Sequence, residues 1–261
     1  MNNISPFPSR IYHILILVAI GLFVSFIPIY LIENCGFLND SITQNGQLQD
    51  TVILLFFCLS FIVATFVINK IRHTRIATKF NFKINLMDVK NVALIILFLL
   101  MLQLLFLFPL RNILFGIPSV SSNSSYVRLL YVIVITPFLE ELIFRMIILG
   151  GLSNRYNSTL CIFISSLLFM LGHPYDSYIS TFIIGLFLGI VYCKKKNIIV
   201  CILIHTTLNA TNTIIMSRFY YFNSIELCWA LLITFIVAGS VAILYWRKTL
   251  IVELMDLMGL K

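Results

Sequence analysis

The sequence predicts an all-α fold, a polytopic bundle of about eight transmembrane helices that forms a single membrane domain over residues 1–261. Three observations support this class: 60% of the residues are apolar and 11% are charged, apolar runs of spanning length recur, and cations fall on alternate connecting segments. Soluble domains are roughly 45–50% apolar and about 25% charged. The mean hydropathy of +1.02 therefore excludes a water-soluble enzyme, and it excludes a disordered chain, which needs low hydrophobicity.

Each predicted helix is an apolar run, and about 20 residues are needed to cross the hydrocarbon core. The fourth run is long and contains Pro137, so we expect a kink or break there; the sixth is short, and seven spans is the alternative count. The first ten residues lack the basic start of a secretory signal, so we expect the first run to be a span and not a cleaved leader. The eight runs lie near 11–32, 51–69, 91–110, 126–152, 158–174, 179–193, 197–216 and 226–246.

The cations set the expected orientation, because Lys and Arg concentrate in cytoplasmic loops. With the N-terminus inside and eight alternating spans, only Arg111, Arg128 and Arg218 fall outside. Both termini are therefore expected to be cytoplasmic, and the net charge of +8 needs no nucleic acid as a partner. The 70–90 loop mixes basic and apolar residues and is expected to lie on the lipid bilayer surface. The inner cations are Arg10, Lys70, Arg72, Arg75, Lys79, Lys83, Lys90, Arg155, Lys194, Lys195, Lys196, Arg247, Lys248 and Lys261.

The fourth run carries two adjacent carboxylates, Glu140 and Glu141, with Arg145 four residues after the second. A charge at bilayer depth costs at least ~2.5–3.5 kcal/mol, so such residues are candidates for function. On an α-helix Glu141 and Arg145 share a face and can pair, whereas Glu140 points about 100° away. Thr136 and Pro137 have the pattern of an N-cap followed by proline, which predicts a helix N-terminus beside the carboxylates. The alternative interpretation is an Arg–Glu pair that locks two helices, and it leaves Glu140 unexplained.

Two histidines stand in apolar surroundings on later runs: His173, four residues after Phe169, and His205, four residues before Asn209. Counted from the inner ends of their runs at ~1.5 Å per residue, Glu140, His173 and His205 lie roughly 18, 23 and 12 Å deep, around the midplane of a ~30 Å core. We therefore expect one wet cavity, where these groups activate a water and polarise a carbonyl or bind a divalent metal. Each histidine alone is more often an interhelical hydrogen-bonding residue.

Three motifs on these runs resemble those of the CPBP family of intramembrane proteases, which includes the eukaryotic CAAX-prenyl endopeptidase and the bacterial Abi group. EELIFR (140–145) fits EExxxR, FMLGH (169–173) fits FxxxH, and HTTLN (205–209) fits HxxxN, in the family's order. The resemblance covers about 126–215, the predicted catalytic core. It implies an intramembrane endopeptidase.

The resemblance also implies a role for each motif residue. Glu140 and His173 would activate the attacking water, and His205 and Asn209 would stabilise the oxyanion. Members are described both as metalloproteases and as glutamate-dependent proteases without a metal; Glu140, His173 and His205 would supply the usual three protein ligands of zinc. Because Asn209 is a poor zinc ligand and a good oxyanion donor, metal-independent catalysis is favoured. The implied supporting residues are Glu141, Arg145 and Phe169.

The expected substrate is a membrane-associated peptide or protein, which is prenylated for the eukaryotic members. A composition rich in Phe, Ile and Asn indicates an AT-rich bacterial genome, so we expect a bacterial cell membrane and small-peptide or bacteriocin-related substrates. Two rival functions stay open: a non-catalytic immunity or regulatory protein on the same scaffold, and a small transporter or proton relay. Against the transporter, the sequence shows no inverted repeat.

Overall fold

The computed structural model describes residues 7–35, 46–72, 86–116, 129–219 and 224–258. These residues form eight continuous helical segments, and no strand is present among them. The all-α prediction is confirmed for this part of the chain. In chain order the eight segments coincide with the eight predicted apolar runs.

Six of the segments are regular and two are composite. The third, α3, passes from α-helix into a π-helical turn and back, and the fourth, α4, does so twice. The bounds are α1 Ile11–Cys35, α2 Gly46–Ile71, α3 (α-helix Leu86–Leu102, π-helix Gln103–Leu107, α-helix Phe108–Phe115), α4 (π-helix Tyr131–Ile135, α-helix Thr136–Glu141, π-helix Leu142–Leu149, α-helical turn Gly150–Leu152), α5 Ser158–Leu171, a 3-10 turn Tyr175–Ser177, α6 Tyr178–Lys195, α7 Ile198–Phe219 and α8 Ile225–Met258.

Two helices in the described residues are long and apolar enough to cross a membrane, Val89–Phe115 and Tyr175–Lys195. Five others are apolar over 10–17 residues. These lengths are consistent with an integral membrane protein, whereas the count of eight spans and the cytoplasmic termini stay predictions. Of the 70–90 loop, residues 73–85 lie outside the described part of the chain, as does Arg128.

The π-helical turns explain how the chain accommodates two prolines. Pro109 and Pro137 each lie two residues beyond a five-residue π-helix. A proline inside a helix has no N–H and its ring clashes with the carbonyl four residues earlier, and the wider π turn gives that carbonyl room. Both helices therefore stay continuous through their prolines.

The prediction of an N-cap at Thr136 and Pro137 is wrong. An N-cap residue has non-helical backbone angles, but Thr136 has φ −60° and ψ −53° and donates its N–H to the Tyr131 carbonyl. No helix begins there, so Thr136 and Pro137 do not place a helix N-terminus beside Glu140 and Glu141. The distortion that Pro137 predicted takes the form of a π turn instead of a break.

The chain forms two compact units. Unit 1 comprises Met1–Lys79 and Leu139–Cys161; within it α1 packs along α2, and the second π-helix of α4 packs on α2. Unit 2 comprises Phe80–Phe138 and Ile162–Lys261; within it α8 packs on the later part of α3, and α7 packs against α3, α6 and the first π-helix of α4. The single domain, with its core at 126–215, stays a prediction.

The N-terminal residues of unit 1 are held at the ends of α2 and α4. The buried side chain of Asn69 accepts a hydrogen bond from the Phe7 N–H at 2.8 Å and donates one to the Phe7 carbonyl at 2.5 Å. Gly151 packs directly on Pro8, since a Cβ at position 151 would overlap the Pro8 carbonyl oxygen. These contacts bring together three chain segments that the cation pattern places on one side of the membrane.

This close approach predicts that Gly151→Ala destabilises the protein. The added methyl group meets backbone, which cannot rotate away, so we expect a loss of about 1–3 kcal/mol, measured as a lower Tm in detergent. Gly239→Ala in α8 is the matched control, because a Cβ there would meet nothing within 4 Å. Equal Tm values for the two variants would contradict the prediction.

Candidate active site

Glu140, Glu141 and Arg145 lie in unit 1, where α4 changes from α-helix to π-helix. Glu141 and Arg145 are fully buried, and Nε of Arg145 lies 3.2 Å from Oε2 of Glu141. The predicted ion pair is therefore confirmed. Removing one partner of a buried pair costs about 3–5 kcal/mol, because the other charge is left uncompensated in an apolar setting. The burial of each of these two charges therefore depends on the presence of the other.

Glu140 occupies a different position from its neighbour. It is 6% exposed, and it belongs to the α-helical section Thr136–Glu141, where successive residues turn by about 100°. The chain therefore buries a second carboxylate beside the ion pair but on another face of the helix.

In unit 2, one aromatic ring brings the two predicted histidines together. Phe169 is buried, and its ring centroid lies 4.7 Å from that of His173 and 5.6 Å from that of His205, with interplanar angles of 60° and 80°. Behind it, Gly185 of α6 allows close packing, since a Cβ there would lie 3.2 Å from Cδ1 of Phe169. Phe169 thus contacts both imidazoles and is itself supported by α6.

His173 does not lie within a helix, so the prediction that a spanning helix carries it is wrong. Helix α5 ends at Leu171, and Pro174 has an extended backbone with φ −60° and ψ 144°. The ring is nevertheless anchored: Nδ1 lies 2.8 Å from the Phe169 carbonyl oxygen. Because a carbonyl oxygen only accepts, Nδ1 carries the proton, and Nε2 is then the lone-pair nitrogen of the neutral ring.

Asn209 joins α7 to the first π-helix of α4, also within unit 2. Its Nδ2 donates to the Val132 carbonyl at 3.1 Å. In a π-helix that carbonyl would receive the N–H five residues on, but that residue is Pro137, and Thr136 donates to Tyr131 instead. Asn209 therefore supplies the hydrogen bond that Pro137 cannot make.

Residues 122–211 match the family model described as Type II CAAX prenyl endopeptidase Rce1-like. This match confirms the predicted resemblance to the CPBP proteases over that segment. No curated protein and no solved structure matches the chain.

The matched segment contains the three motifs that carry the resemblance, EExxxR, FxxxH and HxxxN. It is about a third of the chain, and it extends from before α4 into α7, ending at residue 211. Over this segment the chain is similar to the CAAX prenyl endopeptidases that the family model describes.

A metal site is not evident within either unit. Among the described residues, neither unit gathers three His, Cys, Asp or Glu side chains as a metal-ligand group. The ligand set predicted from the sequence takes Glu140 from unit 1 and His173 and His205 from unit 2. Metal binding by these three residues stays a prediction.

Sequence reasoning missed three contributors to the site. The Val132 carbonyl is backbone, which no motif shows, although Pro137 five residues later was a signal that it needs a donor. Gly185 is a single glycine in an apolar helix, without a pattern of its own. Asp176, which pairs with Arg111 close to His173 in the chain, lies between two predicted spans and belongs to none of the three motifs.

The arrangement around Val132 predicts that Asn209 and Pro137 are energetically coupled. Asn209→Ala removes the side-chain donor to the partly buried Val132 carbonyl, so we expect a loss of about 1–3 kcal/mol for an acceptor left without this bond. In a Pro137→Ala background the restored N–H can serve the carbonyl, and the same Asn209 change should cost clearly less. Urea or thermal unfolding of the four proteins in detergent measures this double-mutant cycle. Additive losses would show that the two residues act independently.

Proposed function

We propose that this protein is an intramembrane endopeptidase that hydrolyses a peptide bond in a membrane-associated peptide or protein. One observation carries the proposal: the three motifs occur in order inside the single segment that matches the CAAX endopeptidase family model. The burial of Glu140 and the ring contacts of both histidines with Phe169 support it.

In this proposal Glu140 is the general base. Arg145 is engaged in the ion pair with Glu141, and Glu140 lies on a different face of the same helix. Glu140 takes one proton from water while the water oxygen attacks the substrate carbonyl carbon. The C–N bond then breaks, and the proton passes to the leaving amine. Nε2 of His173, a lone-pair nitrogen in the neutral ring, would orient the attacking water.

His205 and Asn209 would stabilise the negative charge on the tetrahedral intermediate. His205 is 4% exposed and packs edge-on against Phe169, so its ring has a defined orientation. An asparagine amide carries two N–H donors. One of those of Asn209 bonds to Val132, and the second is the proposed donor to the oxyanion.

The proposed substrate follows from the family and from the membrane. A prenylated protein is the substrate class that a CAAX endopeptidase implies, and a short bacteriocin-related peptide is the alternative within the same chemistry. Both deliver a peptide bond next to an apolar anchor. Comparison of membrane peptides from cells with the wild type and with Glu140→Gln would identify the natural substrate.

Cleavage is expected to depend on Glu140 and His173. With the protein in liposomes and a fluorogenic farnesylated CAAX peptide, Glu140→Gln and His173→Ala should each lower kcat/KM by about 10²–10⁴, the usual contribution of general acid–base catalysis. Glu226→Gln at the exposed start of α8 is the matched control and should keep wild-type activity. Full activity in both site variants would reject the assignment. A cellular phenotype retained by Glu140→Gln would favour a non-catalytic immunity or regulatory protein.

Catalysis is expected not to require a metal. Because Asn209 is a poor zinc ligand and a good oxyanion donor, activity should survive prolonged dialysis against a zinc chelator. Metal analysis of the same preparation should find less than one equivalent of zinc. Loss of activity that added Zn²⁺ restores would contradict this, and it would make Glu140, His173 and His205 the ligands to test.

A further inference from the structure

His173 is held on one side by the end of α5. The residue lies in the turn that connects α5 to α6, two residues beyond the last residue of α5. The Gly172 N–H bonds to the Phe169 carbonyl at 3.3 Å and the His173 N–H to the Met170 carbonyl at 3.0 Å, which closes the last turn of α5. After Pro174 the chain leaves this helix, so other contacts must hold the far side of the turn.

Two neighbouring residues of the turn bind one face of α3. The carboxylate of Asp176 forms an ion pair with Arg111, and the ring of Tyr175 lies 5.6 Å from that of Phe115 at an interplanar angle of 81°. Arg111 and Phe115 are four residues apart in the α-helical end of α3, so their side chains lie on the same face. We call these four residues the turn clamp.

The ion pair of the turn clamp is partly sheltered from water. The Arg111 and Asp176 side chains are 21% and 25% exposed, and they line the same small cavity as the apolar side chains of Leu107, Leu110, Leu114 and Ile179. An ion pair with apolar neighbours is screened less than one on an open surface. The contact can therefore hold the turn more firmly than an exposed pair would.

The turn is also stiff between its two attachments. The Ser177 N–H and its Oγ both donate to the Pro174 carbonyl, at 2.9 and 2.7 Å. Thr181 in the first turn of α6 donates to the Ser177 carbonyl at 2.9 Å. A shift at Asp176 is thus transmitted along a short, hydrogen-bonded segment to His173.

We propose that Arg111 and Asp176 are positioning residues for His173: their ion pair docks the α5–α6 turn on α3 and so holds the imidazole in its seat on Phe169. Neither residue needs to touch the substrate. The catalytic consequence rests on the proposed function, because it requires His173 to act in hydrolysis. The effect of the ion pair on the position of His173 does not depend on that function.

The test uses the full-length protein in liposomes and three changes to the ion pair. Asp176→Asn removes the charge at nearly constant size, Arg111→Asp places two acidic residues together, and Arg111→Asp with Asp176→Arg restores a pair in reverse. Arg111→Lys keeps the charge, and Arg155→Asp in an exposed turn is the matched control. Two quantities are measured: cleavage of the farnesylated peptide, and the rate at which diethylpyrocarbonate modifies His173, read by mass spectrometry of its peptide.

We expect Asp176→Asn and Arg111→Asp to lower kcat about tenfold or more with little change in KM, since a misplaced catalytic group affects the chemical step. Both should raise the modification rate of His173 severalfold. The reversed pair should recover both quantities. Arg111→Lys keeps the positive charge and should stay close to the wild type in both quantities. It serves as the test if the reversed pair does not fold.

A purely structural role would lower Tm but leave kcat and the modification rate of the folded protein unchanged, and that result would overturn the proposal. The proposal would also be overturned if the reversed pair and Arg111→Lys both fold but neither keeps the wild-type kcat and the wild-type modification rate of His173. If the wild type cleaves nothing, the proposed function fails, and the modification rates alone decide whether the turn clamp holds His173.

Discussion

The buried ion pair between Glu141 and Arg145 is the interaction on which the acidic part of the candidate site depends. The π-helical section of α4 that carries Arg145 is almost wholly buried in unit 1, and its own buried residues include Ile143, Met146 and Ile147. A single charge there would be very costly, whereas two that neutralise each other can remain. Glu141 pairs with Arg145, whereas the adjacent Glu140 lies on another face of the helix.

A second constraint comes from the backbone, since every buried carbonyl needs a donor. Pro109 and Pro137 each remove a donor from a helix interior, and each follows a π-helical turn that keeps the helix continuous. At Val132 the missing bond comes from the side chain of Asn209 on α7. A proline in one helix thereby creates a polar attachment point for another, and that second helix also carries His205.

Much of the fold could be predicted from the sequence, because apolar runs and their lengths are local properties. The eight runs, the Glu141–Arg145 pair and the spacing of Phe169 from His173 all follow from residues close together in the chain. Two local predictions failed at Thr136 and His173. At Thr136 the helix continued through the proline by widening, and at His173 the flanking Gly172 and Pro174 ended α5 earlier than the apolar run did.

The amino-acid sequence by itself determined the helical class, the order of the segments and the three motifs, because periodicity, hydropathy and short spacings are properties of neighbouring residues. Only the tertiary structure decided that Phe169 contacts both histidines, that Gly185 supports it, that Asn209 bonds to Val132 and that Arg111 pairs with Asp176. Apart from the local contact between Phe169 and His173, these contacts join residues 16 to 77 positions apart. They depend on which faces of the helices meet, and that is settled by the packing of whole helices and not by any local pattern.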